Sequence, residues 1–314
     1  MSDLSFSLAT QQDDAGIRAL LAANAMPGRI RMRFTREPDY FAGCATMGPF
    51  TQVLVAREQE RVVGVACRAV RRVYVNGVAE DVGYLAQLRV DPEYRGRLMV
   101  HRGFRMLREL HGDARVRGYV TTIVDGNEEA EGVLVRRSRP GMPRYRFLEN
   151  LITLALPVPP AHPAPESVDA LPFLERHGSR RNFFPVWNDD FDPANFVGVD
   201  GGVAALWDQS ACKQTIIDGE NRALRLAYGS FFCTANDDPR VAHALIEKLL
   251  ALASSRGVEH LLLGFTESDS HLAAARMFPH LEYASRIYTV AFDDGDDLHD
   301  RLDSRPRYLE LATL

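Results

Sequence analysis

Long apolar runs are missing from this 314-residue chain; none approaches the ~20 residues that a membrane-spanning helix requires. A basic region leading into an apolar segment is missing at the amino end as well. That end opens Ser2-Asp3 and soon carries Asp13-Asp14, so no secretory leader is read and a cytoplasmic location is expected. Cysteine is scarce. Cys44, Cys67, Cys212 and Cys233 stand far apart without metal-ligand spacing, so buried thiols are expected rather than a disulfide framework. His243 and His271 are lone helical histidines, and no metal is assigned. An excess of positive charge is also lacking. The net charge is -5, which argues against nucleic acid or an anionic membrane as the main partner. The basic stretch from Arg136 to Arg146 lacks the aromatic interleaving of a base-stacking surface. It is read as a solvated loop, or as a cover over the substrate entrance.

What is present is a chain long enough for two domains of about 150 residues. It is 46% apolar and 25% charged, as expected of a soluble globular protein. Pro157, Pro159, Pro160, Pro163, Pro165 and Pro172 crowd its middle, where they exclude a helix interior and suit a stiff linker. The division follows: a first domain over 1–157, a linker over 158–172, a second domain over 173–295 and a tail over 296–314. The acidic run Asp293 to Asp297 is read as the solvated start of that tail.

Each half shows a similar order. In the first, a helix over Asp14 to Ala23 precedes a hairpin (Gln52 to Ala56 with Arg61 to Ala69). A second hairpin turns at Asn76-Gly77, between Val70–Val75 and Val82–Val90. A helix from Met99, a strand over Tyr119 to Val124, a helix over Glu128 to Arg137 and a strand from Phe147 follow. In the second half, a hairpin turns at Asp200-Gly201-Gly202 and a strand covers Leu224 to Thr234. A helix capped by Asp238 with Pro239 in its first turn comes next, then strands from His260 and from Tyr283 around a short helix. The repetition argues for an internal duplication.

The most informative stretch runs Leu88-Arg89-Val90-Asp91-Pro92-Glu93-Tyr94-Arg95-Gly96-Arg97-Leu98-Met99-Val100. A strand stops, a basic loop follows and a helix starts. Free amides and the helix dipole favour an anion at such a corner, and Arg95 and Arg97 add charge. Here the first half resembles the GCN5-related N-acetyltransferase (GNAT) family. The resemblance rests on Val90-Asp91-Pro92, Arg95-Gly96, the helix after them, the strand Tyr119 to Val124, and Asn127 with Ala130. The second half resembles the same fold more faintly. The implied fold is α+β: two tandem GNAT-like domains, each a mixed, mostly antiparallel sheet flanked by helices.

The resemblance implies an N-acyltransferase, with acetyl-CoA or another acyl-CoA as donor and a small-molecule amine as acceptor. Arg95, Gly96, Arg97, Leu98, Met99 and Val100 would hold the pyrophosphate, and Leu88, Arg89 and Val90 would pair with the pantetheine. Asn127 would position the sulfur. A base would come from Glu80, Asp81 or Tyr84, with Gln87 holding a water. Arg102 or Arg105 would meet the 3′-phosphate. Leu98 and Val100 stand where the family has small residues, and Leu134 where it often has an acidic tyrosine. In the second half Asp237 and Asp238 would repel phosphate, so no coenzyme A is expected there. Two alternatives remain open. One is a non-catalytic acyl-CoA sensor. The other is a long-chain acyl-amino-acid synthase with an apolar tunnel behind the Leu88 strand. Oligomeric state is open between monomer and homodimer.

Overall fold

The computed structural model describes residues 4–24, 32–95, 99–136, 140–160, 162–186, 192–217, 222–292 and 297–314. In chain order the first half forms β1 (Leu4–Leu8), α1 (Asp14–Ala23), β2 (Met32–Thr35), α2 (Tyr40–Ala45), β3 (Phe50–Glu58), β4 (Arg61–Val75), β5 (Val78–Val90), α3 (Met99–His111), β6 (Tyr119–Val124), α4 (Glu128–Glu131) and β7 (Arg144–Pro157). The second half forms α5 (Leu171–His177), β8 (Phe196–Val199), β9 (Gly202–Asp208), β10 (Gln214–Ile217), β11 (Ala223–Leu224), β12 (Leu226–Thr234), α6 (Pro239–Ser255), β13 (His260–Thr266), α7 (His271–Ala275), β14 (Leu281–Ala291) and α8 (Leu298–Arg301).

Local chemistry accounts for much of this. Asp238 caps α6 by accepting from the Arg240 amide, and Pro239 opens the helix where a missing N–H costs nothing. Leu245, Leu249 and Leu252 form its buried stripe. Asn76 and Gly77, both with positive φ, make the tight turn between β4 and β5. β4 is one continuous strand, so the expected break between Ala69 and Val70 does not occur. Along it Cys67, Ala69, Arg71 and Val73 point to one face of the sheet, and Arg68 and Val70 to the other.

The described strands assemble into an eleven-stranded sheet in the order β1-β3-β4-β5-β6-β14-β7-β13-β12-β9-β8. One face is covered by α3 and α6. The other is covered by α1, α2 and the C-terminal residues. A small sheet, β11-β10-β2, ties the halves together: Gln214–Ile217 pairs with Met32–Thr35.

The expected boundary at residue 157 does not divide the sheet. β7, from the first half, lies between β13 and β14 of the second; β14 lies between β6 and β7 of the first. Each half's last strand therefore completes the other half's sheet. The proline-rich stretch is extended, as proline requires, but it joins two parts of one sheet. The tail also departs from expectation. Tyr308, Leu309, Leu311 and Ala312 are all buried, because they fill space between the strands of the second half. Residues 293–296, with most of the acidic run, lie outside the described residues. No helix among the described residues is long and apolar enough to cross a membrane.

Candidate functional site: a splayed strand pair and the cations behind it

β5 and β6 run parallel but pair only at Gly83–Tyr119 and Tyr84–Val120. Beyond that point they diverge. A bulge against β4 between Val65 and Cys67, with Gln87 at φ 57°, turns β5 away. The result is a V-shaped slot whose apex is Tyr84. Its walls are Leu85–Val90 and Thr121–Val124. Among the described residues no strand pairs with Ala86–Val90 on the β6 side. Just past the apex the Thr121 Oγ1 of β6 donates across to Leu85 O at 2.7 Å, and further out Arg89 Nη1 donates to Leu88 O of its own strand at 2.9 Å. An open strand edge of this kind offers amides and carbonyls to an extended ligand.

The second half builds the same V. β12 and β13 pair at Leu226–His260, Ala227–Leu261 and Tyr228–Leu262, then separate. Phe231 takes a positive φ three residues after Tyr228, as Gln87 does three residues after Tyr84. This second V is filled by the chain's own C-terminal segment. Glu310 accepts from the Phe231 amide at 2.9 Å, and Tyr308 accepts from the Phe232 amide. Leu311 packs against Gly264. The corner at the start of α6 is occupied too. Asp237 binds the buried Arg181 at 2.5 Å, and Arg181 continues to Asp269 at 2.6 Å. Where a phosphate would sit, the chain has placed its own carboxylates. Among the described residues nothing pairs into the first slot, whereas the second is closed from within.

Behind the open V, on the face away from α3, lies a group of cations. Arg71 places its guanidinium 4.3 Å from the centre of the Tyr84 ring and donates to the carbonyls of Met47 and Thr313. Burial pulls it down to about 10. Arg36, almost wholly buried, donates to Gly43 O and Met47 Sδ. Lys213 Nζ donates to Ala312 O at 2.6 Å and contacts Leu314 O at 3.4 Å, with the Tyr228 ring 5.7 Å away. Burial first, and the charges of Arg36 and Arg71 after it, pull its ammonium well below the usual lysine value. Cys44 feels the same field. A hydrogen bond from Cys67 and the charges of Arg36 and Lys213 bring its thiol to about 7 against the effect of burial.

The expected site residues fare unequally. Tyr84 is at the apex, buried, with its hydroxyl 3.0 Å from Thr122 Oγ1. Burial pushes its phenol up, which suits a hydrogen-bond donor and not a base at neutral pH. Glu80 and Asp81 lie on the other side of the apex, away from the V. Glu80 is held by Arg301 at 2.8 Å and Asp81 by Arg72 at 3.2 Å, beside a hollow of about 310 Å³. The strand start that suggested a base is instead a surface ion-pair cluster.

Of the expected phosphate loop, Gly96, Arg97 and Leu98 lie outside the described residues. Arg95 reaches across the mouth of the V to Glu129 at 3.0 Å. The Met99 side chain packs with Ala56, Val63 and Tyr94, while Leu88 and Val100 join the apolar cluster under α3. Arg89 and Val90 line the diverging edge of β5. Asn127 caps α4 through Ala130 N at 3.1 Å. Arg102 is turned to Leu4 O at 2.6 Å and lies over the Phe6 ring, so its expected phosphate is replaced by β1. Arg144 and Arg146 of the basic stretch sit on β7 and pair with Asp297. Among the described residues no cluster of His, Cys, Asp and Glu could hold a metal ion.

Sequence reasoning missed the cations. Arg36, Arg71 and Lys213 come from three distant segments, and a lone charge in each carries no local pattern.

No family profile and no curated relative matches the sequence. Solved structures do match. Saccharomyces cerevisiae N-myristoyltransferase with bound myristoyl-CoA and inhibitors is 12% identical, with a TM-score of 0.66 over 98% of this chain and 87% of that one. The glucosamine N-acetyltransferase region of a fungal multi-domain GH3 β-N-acetylglucosaminidase is 12% identical, with a TM-score of 0.63 over 92% of this chain and 38% of that one. At such identities the likeness establishes architecture: this chain has the α+β fold of the GCN5-related N-acetyltransferases.

Proposed function

We propose that this protein is a cytoplasmic acyl-CoA-dependent N-acyltransferase that moves an acetyl group to the amine of a small molecule. One observation carries the reading: of two equivalent V-shaped slots, the second is occupied by the C-terminal segment and the first keeps, among the described residues, an unpaired strand edge. The pantetheine arm would bind along Ala86–Val90 as an added strand, with its phosphates toward the start of α3. The thioester would then reach the apex at Tyr84. A neutral amine arriving from the opposite face would attack the carbonyl. The C–N bond forms, the C–S bond breaks, and the proton lost by the amine passes to the departing sulfur, which leaves as a thiol. The second half serves as scaffold and binds no coenzyme A.

A long-chain donor is the second reading, favoured by the myristoyl-CoA bound in the yeast neighbour. Thermal denaturation of the whole protein with coenzyme A, acetyl-CoA and myristoyl-CoA separates the two. A donor at 100 times its Kd stabilises the folded state by about 2.7 kcal/mol. Acetyl-CoA is expected to raise the midpoint, and thiol release is expected with an amine panel. If no thioester moves the midpoint and no amine releases thiol, the reading falls.

A further inference from the structure

The cations behind the open V are too many for what surrounds them. Arg36 and Arg71 both bond Met47 and both act on Lys213 through the interior, and Arg89 at the edge of the V feels Arg36. None of the four pairs with an aspartate or glutamate side chain among the described residues; their bonds go to carbonyls, to Met47 Sδ and to aromatic rings. Glu310 is the acidic side chain that Arg71 feels, and burial raises its own pKa. Asp208 is exposed and acts on Cys212. Among the described residues, counting both Glu310 and the Cys44 thiol as negative still leaves four basic groups against two acidic ones.

Buried cations without counter-charge are costly, and the cost is relieved when a ligand brings the charge. Unpartnered polar atoms sit in the same segments. Thr35 Oγ1 precedes Arg36. Both amide atoms of Gln209 lack partners, and Gln209 O accepts from the Lys213 backbone amide at 2.8 Å. Both residues are more than nine-tenths buried. Arg71, Lys213 and Tyr228 nonetheless keep part of their surface open. These groups form a lined site with donors to spare.

The position of the site identifies which ligand brings the anion. The phosphate corner is at the start of α3, on the α3 face. The cations are on the opposite face, with Arg71 against the apex tyrosine. Resting on the acyltransferase reading, we propose that the acceptor is an amine that also carries a carboxylate, held by Arg36, Arg71 and Lys213 so that its amino group faces the apex at Tyr84. Amino acids and short acidic peptides are the matching class. The guanidinium of Arg71 offers bidentate recognition, and Lys213 a point charge.

The test uses the whole protein and probes that differ only in charge: glycine, β-alanine and aspartate, each beside its amide. Calorimetric titration is expected to show each acid binding about tenfold or more tighter than its amide. Lys213→Met and Arg71→Gln are expected to erase that preference. Should either variant fail to fold, the acid-against-amide comparison in the unaltered protein decides. Equal binding of acids and amides, or binding of neither, overturns the proposal. Displacement of the acid by 3′,5′-ADP also overturns it, because the cations would then belong to the donor's phosphates. Acetyl-CoA is titrated separately. An acid preference without acetyl-CoA binding sinks the acyltransferase reading and leaves the carboxylate site standing.

Discussion

Arg68 shows what a single side chain decides. It is fully buried in the middle of β4 and bonds Asp113 through both terminal nitrogens, at 2.7 and 2.8 Å, with Gln52 and the Tyr119 hydroxyl completing the shell. In the sequence it is one charge inside a β-rich run, and Asp113 is far along the chain. Nothing local marks the pair. The same holds for Arg71 and Arg36, and it is why the polar half of the candidate site was illegible while its apolar frame could be read. The Arg68 hydrogen bonds hold the Asp113 carboxyl below the usual range, against the opposing effect of burial. A carboxylate whose folded pKa is depressed adds stability above its unfolded value of about 3.9 and loses it as pH falls through the lower folded value. Asp113→Asn is expected to cost about 2 kcal/mol at neutral pH, since Arg68 stays buried without its counter-charge. Urea midpoints taken from about pH 5 down through about pH 2 should therefore fall less steeply in the variant. An unchanged slope would remove Asp113 from the acid transition.

Among the elements, those with a strong local signature were legible. α1 was expected over Asp14 to Ala23 and is found there; the Asp238-Pro239 cap starts α6; Asn76-Gly77 turns β4 into β5. β1, β2, α2 and β10 were not expected, because each is short and is fixed by tertiary pairing or packing instead of its own pattern. The splay of β5 from β6 depends on a close approach at the apex. A side chain at Gly83 would bring its Cβ within 2.1 Å of Tyr119 Cδ1, too near for any residue but glycine. Gly83→Ala is expected to destabilise the protein by about 3 kcal/mol and to open the last pair of the V. The check is a denaturant midpoint with the acetyl-CoA affinity beside it. Full affinity and an unshifted midpoint would show that the apex tolerates a wider gap.

For the whole molecule, the order of elements was readable, and so was the difference between the two halves. The exchange of final strands was not, since pattern and length say nothing about which neighbour a strand will choose. The buried tail was missed for a related reason: the acidic run before it reads as solvated, while the residues after it are held by strands far back in the chain. Removing residues 308–314 unplugs the second V and strips Arg71 and Lys213 of the carbonyls of Thr313 and Ala312. That deletion is expected to cost about 3–5 kcal/mol, of the order of losing a large core side chain. Its thermal midpoint should fall, and near-ultraviolet circular dichroism should weaken. A fragment ending at residue 157 is expected not to fold at all, because β7 would lose both of its neighbours. A soluble fragment with dispersed amide resonances would contradict this.

The exchange of strands also sets a timetable for synthesis. β7 ends at Pro157, and β14, its partner on one side, begins at Leu281, about 120 residues later. At 5–20 residues per second the ribosome needs roughly 6–25 s to deliver it. For that interval β6 and β7 wait with bare edges. The middle of the sheet is thus the last part of the molecule to close, and its exposure to other nascent chains is greatest while translation is still under way.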